Sequence, residues 1–293
     1  MTHNKHIIDG KHLELDKYGE DWFFEQTKDW KDPLPEPVVV EHEGIKVVRD
    51  DLILGTKSRA ADLLVKSIKE DTIVYVAPRV GLAGVSILDV ASRNNKKVVL
   101  FMPASKQVSR HQAVCIERGA EPKFYRIAAM PNLNRKAKEY AEKTGGFFIP
   151  LGLKHPLVTA VLARVAKNLK DKHGEPYVCF VATSTGVLVR GLQIGWPNTK
   201  FYSVAVARNM KSGELGRASV ISEPLDFKQE EKDLPPFDAI KTYDAKAWKY
   251  ARQYKQDHPN ENVWLWNVGK EPELTDESVY NTDSYREWGE ERL

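Results

Sequence analysis

The stretch Tyr177-Val178-Cys179-Phe180-Val181-Ala182-Thr183-Ser184-Thr185-Gly186-Val187-Leu188-Val189-Arg190-Gly191-Leu192-Gln193-Ile194 decides the fold. Its first five residues are aromatic, apolar or β-branched and read as a strand buried on both faces, while residues 187–194 have the length and spacing of a helix. Between them lies a Ser/Thr/Gly turn with three hydroxyls. Such a turn opens onto a helix start, where backbone N–H groups have no intrahelical acceptor and suit a dianionic phosphate monoester. By shape alone it is equally an ordinary strand-to-helix turn with a capping hydroxyl.

The same alternation extends in both directions. Strands are expected at residues 72–76, 98–101, 123–127, 147–149, 201–206 and 263–266, and two short ones at 38–41 and 45–48 turn at His42-Glu43-Gly44. Amphipathic helical stretches at 58–69, 85–94, 106–118, 133–143 and 156–170 separate most of them. Strand and helix in alternation predict an α/β protein with mainly parallel, twisted sheets covered by helices on both faces. Ligands of such sheets bind beyond the carboxyl ends of the strands. A second turn of this kind, Val76-Ala77-Pro78-Arg79-Val80-Gly81-Leu82-Ala83-Gly84, has glycines that let the backbone come close to a ligand. Residues 1–37, ending in Pro33-Leu34-Pro35-Glu36-Pro37, read as an arm on the domain surface.

A chain of 293 residues that is 42% hydrophobic can fill one large core or two smaller ones. No apolar run reaches the roughly 20 residues that span a bilayer, and the polar start lacks a signal-peptide core, so a soluble, cytoplasmic protein is expected. Cys115 and Cys179 are too far apart in pattern for a metal pair or a disulfide framework and read as buried free thiols; no metal site is indicated. The net charge of +3 is spread along the chain and neither points to nucleic acid nor away from it.

The chemistry rests on Lys57, in Arg49-Asp50-Asp51-Leu52-Ile53-Leu54-Gly55-Thr56-Lys57-Ser58-Arg59-Ala60. A lysine after a tight Gly-Thr turn, at the start of a helix, is held in place and partly desolvated, which favours a neutral, nucleophilic amine.

The Arg-Asp-Asp-Leu stretch, the Gly-x-Lys-x-Arg turn, the strand–loop–helix that follows and the late Ser/Thr/Gly turn together resemble the fold type II (tryptophan synthase β-like) pyridoxal-phosphate enzymes. The nearest branch is that of 1-aminocyclopropane-1-carboxylate deaminase and D-cysteine desulfhydrase. Val98-Val99-Leu100-Phe101-Met102-Pro103, Arg118-Gly119-Ala120-Glu121, Phe148-Ile149-Pro150, His155-Pro156-Leu157 and Val263-Trp264-Leu265-Trp266-Asn267-Val268-Gly269 extend the likeness over residues 38–270. The resemblance implies a large cofactor-binding domain (38–59 and 156–293), a small domain (60–155), and pyridoxal 5'-phosphate held between them. It implies that Lys57 carries the cofactor as an internal aldimine and moves protons at the substrate carbon, and that Thr183, Ser184, Thr185 and Gly186 hold the phosphate. By the same resemblance Asp233 faces the pyridine nitrogen, Tyr243 lies by the substrate, and the Gly81 backbone lines the cofactor. It also implies a homodimer.

The sequence departs from that branch where a Ser-Asn pair is normal: Val80 and Gly81 stand there, so no serine hydroxyl can open a cyclopropane ring. Arg79 is then the candidate for a substrate carboxylate or phosphate. A changed carboxylate grip bears on which bond at the α-carbon breaks, so decarboxylation stands beside elimination. Three readings follow. One is a lyase for a free amino acid. Another is a decarboxylase or lyase for an aminoacyl (glycyl-type) thymidine in bacteriophage DNA hypermodification, with Arg79, Arg208, Lys211 and Arg217 edging an open cleft. The third is a non-catalytic binding or assembly module.

Overall fold

The computed structural model describes residues 6–126, 129–289 and 291–292. Its strands are β1 His6–Ile7, β2 Val39–His42, β3 Ile45–Arg49, β4 Thr72–Val76, β5 Lys97–Pro103, β6 Glu121–Arg126, β7 Phe147–Phe148, β8 Val178–Thr183, β9 Lys200–Ala205, β10 Ser219–Ser222, β11 Val263–Asn267 and β12 Glu291–Arg292. Its helices are α1 Leu15–Tyr18, α2 Glu20–Gln26, α3 Thr56–Ala60, α4 Asp62–Ser67, α5 Ala83–Arg93, α6 Arg110–Glu117, α7 Met130–Thr144, α8 Pro156–His173, α9 Val187–Gly195, α10 Asp244–Asp257, α11 Glu277–Asn281 and α12 Ser284–Glu287. Among the described residues no helix is long and apolar enough to cross a membrane.

The chain divides into two compact units, Met1–Leu63 with Pro156–Glu271, and Leu64–His155 with Pro272–Leu293. The first contains a seven-stranded sheet in the order β1-β10-β9-β8-β11-β3-β2, with β10, β9, β8, β11 and β3 mutually parallel. Strands β8 and β11 are buried along their whole length, as sheet strands covered on both faces must be. Cys179, Val181, Trp264 and Trp266 pack with α8 and α9 on one face, and Phe180, Leu265 and Val47 pack with Trp248 and Ala251 of α10 on the other. Helices α8 and α9 approach closely because Gly191 and Gly195 present no side chain; a Cβ at Gly195 would collide with the Ala163 carbonyl and the Ala166 side chain.

The second unit is a five-stranded sheet in the order β12-β6-β5-β4-β7, parallel throughout. Segment 272–293 belongs here, not with the larger unit as the sequence reading had it. Its β12 pairs with β6, the Ser284 hydroxyl bonds the Ser105 carbonyl, and Thr275 and Asp276 donate to Glu117. Both thiols are free and buried; burial pushes Cys115 up to about 12 and Cys179 higher still.

The amino-terminal residues are more than a surface arm. Helix α2 buries Phe23 completely against Ala160, Ala163 and Ile194. Trp30 donates to Asp62 at 2.9 Å, and the buried Arg59 guanidinium pairs with Asp32 and donates to the Pro35 carbonyl at 2.8 Å. A tryptophan and a buried arginine with partners fixed by the rest of the unit order this segment at the cost of its chain entropy. Of the expected strand at 123–127, residue Ile127 lies outside the described residues.

Candidate active site

The carboxyl ends of β8, β11 and β3, three adjacent parallel strands, bring the polar groups of the first unit together. After β3 the chain makes a single 3-10 turn over Asp50–Leu52 and re-enters a helix at Gly55, whose φ of 91° allows the sharp entry. The Thr56 backbone N–H donates to the Val268 carbonyl at 2.9 Å, which ties the start of α3 to the end of β11. Below it a buried hydrogen-bond network fixes the backbone. Thr56 Oγ1 donates to Asp50 Oδ2 (2.8 Å), the Trp266 indole donates to Asp50 Oδ2 (3.1 Å), and Asn267 Nδ2 donates to Asp51 Oδ1 (2.7 Å). Arg49 closes a two-point pair on Asp51, at 2.8 and 2.7 Å.

On this base stands Lys57. It is partly buried, and among the described residues its amine has no hydrogen-bond partner. Desolvation pushes its pKa down, with the nearby Asp244 carboxylate opposing. Asp244 opens α10 and is 1% exposed. Among the described residues both of its carboxyl oxygens are buried without a hydrogen-bond partner, while the nearby backbone N–H groups of Val268 and of Asp244 itself favour the anion. Burial first, and the Asp51 charge next, raise its pKa well above the usual carboxylate range. A neutral amine beside a protonated carboxyl is the state in which neither group carries an unsolvated charge.

Tyr243 precedes Asp244, and its hydroxyl lies beside the Ser184 backbone N–H of the turn after β8; burial raises its pKa. Tyr243 and Asp244 thus link the lysine to the anion turn. In that turn the hydroxyls of Ser184 and Thr185 are partly buried and have no protein partner among the described residues. Thr183 does not join them. Its hydroxyl donates to the Val181 carbonyl (3.2 Å) and accepts from Ser203 (2.6 Å), so it holds two strands together instead of facing a ligand. Gly186, with φ of 74°, caps the nine-residue helix α9.

Asp233 lies elsewhere. Its side chain is 51% exposed and ion-paired with Arg252 on the outer side of α10, which corrects the assignment made from the sequence. The acid in the site is Asp244, in the first turn of a helix whose apolar positions Ala245, Ala247 and Trp248 are fully buried. An acidic residue opening a helix was the available signal, and a charged loop before it drew the assignment eleven positions too early. Arg79 and Gly81 belong to the second unit. The Arg79 guanidinium donates to the Gln107 carbonyl at 3.1 Å, and Gly81 has φ of 129° with open space around it. Arg208 pairs with Glu214 at 2.6 Å, and Arg217 spends its guanidinium on the carbonyls of Gln193, Trp196 and Thr199.

Asp50 makes the network pH-dependent. Burial raises its pKa from 3.8 to about 6, with the Thr56 and Trp266 hydrogen bonds opposing. Over that window the folded protein keeps a proton that the unfolded chain has released, so the group's contribution to stability declines as pH rises, by about 3 kcal/mol in full. His111 in the second unit, which burial pushes down to about 4, slopes the opposite way. Comparing urea midpoints of Asp50→Asn with the parent cancels the contributions of His111 and of the other buried acid, which both proteins share; the stability of the parent relative to the variant is expected to decline between about pH 4 and about pH 7.

The chain has the fold of the fold type II pyridoxal-phosphate enzymes. No family model and no curated protein matches the sequence. Among solved structures it is similar to an ACC deaminase homologue, with a TM-score of 0.74 and 16% identity over 90% of this chain and 96% of that one. It is also similar to the processed form of threonine deaminase isoform 2 from Solanum lycopersicum (TM-score 0.71, 13% identity, 92% and 94% covered). A pyridoxal 5'-phosphate-dependent aspartate racemase matches at 0.58 and 13% identity, over 87% and 95%. At these identities the likeness is one of fold.

Proposed function

We propose that this chain is a pyridoxal-phosphate-dependent lyase acting at the α-carbon of an amino-acid-type substrate. One observation carries the reading: a buried carboxyl and a partly buried amine, neither with a hydrogen-bond partner among the described residues, stand near the strand ends that also carry the Ser/Thr/Gly turn opening α9. That donor set fits a ligand with an aldehyde, a ring nitrogen and a phosphate. Lys57 Nζ would hold the aldehyde carbon, the Asp244 carboxyl the ring nitrogen, and the hydroxyls of Ser184 and Thr185 with the N–H groups of 185–187 the phosphate. When bound, the cofactor supplies an electron sink that stabilises negative charge at the substrate's α-carbon.

The protein's own groups do the rest. Burial and the Asp51 charge disfavour the Asp244 anion, so its carboxyl would offer a proton to the ring nitrogen of the bound cofactor. The Lys57 amine, whose protonation burial disfavours, would accept or return a proton at the substrate's α-carbon. The Tyr243 hydroxyl stays protonated and orients toward the turn. The absence of a side-chain hydroxyl or amide at Val80 and Gly81 favours elimination or decarboxylation over ring opening. A free amino acid is preferred to an aminoacylated thymidine in DNA, because the guanidiniums of Arg208 and Arg217 are committed within the protein. A homodimer in solution and a cytoplasmic location belong to the same proposal.

The test is the absorbance of the protein with pyridoxal phosphate, beside Lys57→Ala, before and after borohydride. A visible band that the variant lacks, and a reduced pyridoxyl group found on the Lys57 peptide by mass spectrometry, are expected. Equal spectra for the two proteins would end the proposal. Carbon dioxide and ammonia release from amino acids and from aminoacyl thymidines then separates the lyase forms, and loss of optical activity without either product would indicate a racemase.

A further inference from the structure

The anion turn is braced from behind by a residue that no ligand would touch. Arg190, on the first turn of α9, is 1% exposed, and its Nη1 donates to the carbonyls of Thr185 (3.2 Å) and Glu214 (3.0 Å). Its Nε donates to Glu14 Oε2 at 2.8 Å, across 176 residues of chain. Glu14 is itself set by its neighbours. His12 Nδ1 accepts from the Leu15 N–H, so Nε2 carries the ring proton and donates to the Arg190 carbonyl at 3.0 Å, while Asp16 caps the His12 N–H at 2.8 Å. Leu13 N–H donates to the Gly213 carbonyl, and Asp9 pairs with Ser212, which holds the segment 9–16 against the loop whose Glu214 carbonyl meets Arg190.

The peptide between Thr185 and Gly186 is planar and trans, so its C=O and N–H point in opposite directions. Fixing the Thr185 carbonyl on the Arg190 guanidinium therefore aims the Gly186 N–H away from it, out of the turn. We propose that Arg190, held by Glu14 of the amino-terminal segment, is a positioning residue that presets the turn's N–H groups for a phosphate monoester. The inference rests on the proposed function for the identity of that monoester, and it concerns the phosphate end alone. Without the carboxylate, the guanidinium is free to leave the carbonyls, and the peptide can rotate; the aldehyde and ring contacts are untouched.

The experiment measures equilibrium binding of pyridoxal phosphate and of pyridoxal to the cofactor-free protein, by tryptophan fluorescence, for the parent, Glu14→Gln, Glu14→Asp and Arg190→Gln. Thermal melting provides the folding control. The expected result is an affinity for pyridoxal phosphate lowered about tenfold in Glu14→Gln, an unchanged affinity for pyridoxal, and partial recovery in Glu14→Asp. Parallel loss of both affinities, or no change in either, overturns the inference, because a brace that is merely structural does not alter the ratio. If the parent binds neither aldehyde, the proposed function falls. Inorganic phosphate then decides the inference: it stands if phosphate raises the melting temperature of the parent more than that of Glu14→Gln, and it is overturned if the two respond alike.

Discussion

Replacing Gly186 by alanine is expected to destabilise the first unit by about 3–5 kcal/mol and to abolish binding of phosphate-bearing ligands. The backbone there has φ of 74°, which costs an L-residue about 1 kcal/mol by itself. The larger part is steric. A Cβ would sit far inside van der Waals contact with the Glu214 carbonyl oxygen and 3.1 Å from Arg190 Nη1, so it meets backbone on one side and a buried guanidinium on the other. Relief requires the loop carrying Glu214 to move, which breaks the 3.0 Å bond to Arg190 and withdraws the support of the Thr185 carbonyl. Gly174, with φ of 80° and nothing within 4 Å of its Cβ, isolates the conformational part. Gly174→Ala is expected to lose only about 1 kcal/mol in the same urea titration. Similar losses for the two variants would show that the contact with Glu214 does not constrain the turn.

Asp244→Asn is expected to move stability and activity in opposite directions. The carboxyl is buried without a hydrogen-bond partner among the described residues, and its pKa is raised, so the folded state binds a proton more tightly there than the unfolded chain does. Its destabilising effect therefore grows as pH rises above the unfolded value and is absent in acid. An amide of the same shape carries no charge to desolvate. The cofactor-free variant is expected to be more stable than the parent by about 1–3 kcal/mol at alkaline pH and indistinguishable from it near pH 4. Turnover, by contrast, is expected to fall on the order of 100-fold if the proposed function holds, because the carboxyl proton offered to the ring nitrogen would be lost. Denaturant melts at the two pH values, with initial rates on any substrate found, check both. A variant that loses stability at alkaline pH would mean that Asp244 has a structural partner.

The strands were easier to read than the site. Residues 72–76 coincide with β4, and 263–266 falls one residue short of β11, because buried parallel strands are continuous β-branched and aromatic runs. The helix expected over 58–69 is two, α3 and α4, broken at Ala61, a break that no glycine or proline announces. Strand β10 lay in Ser219-Val220-Ile221-Ser222, too short and too polar at its ends to stand out. In the site, Lys57 and the turn at 184–186 are local features of glycine, lysine and hydroxyls, and local features are legible. Thr183 and Asp233 could not be sorted that way. Whether a hydroxyl faces a ligand or Ser203, and whether an acid meets a ring or Arg252, is decided by residues 20 and 19 positions away. Phe23, Trp30 and Arg59 make the same point for the amino-terminal segment, whose burial depends on partners the local sequence does not reveal.

The position of β11 has a consequence for how the protein comes into being. This strand enters last into the middle of its sheet, between β8 and β3, and brings Asn267 and Val268, on which Asp51 and Thr56 rest. During synthesis the segments bearing Lys57 and the turn at 184–186 leave the ribosome with a gap between them where a central strand belongs. They acquire their mutual register only after residue 267 has emerged. A ligand that needs both segments is thus expected to lock a sheet that the polypeptide has already closed, and not to act as a template for its first half.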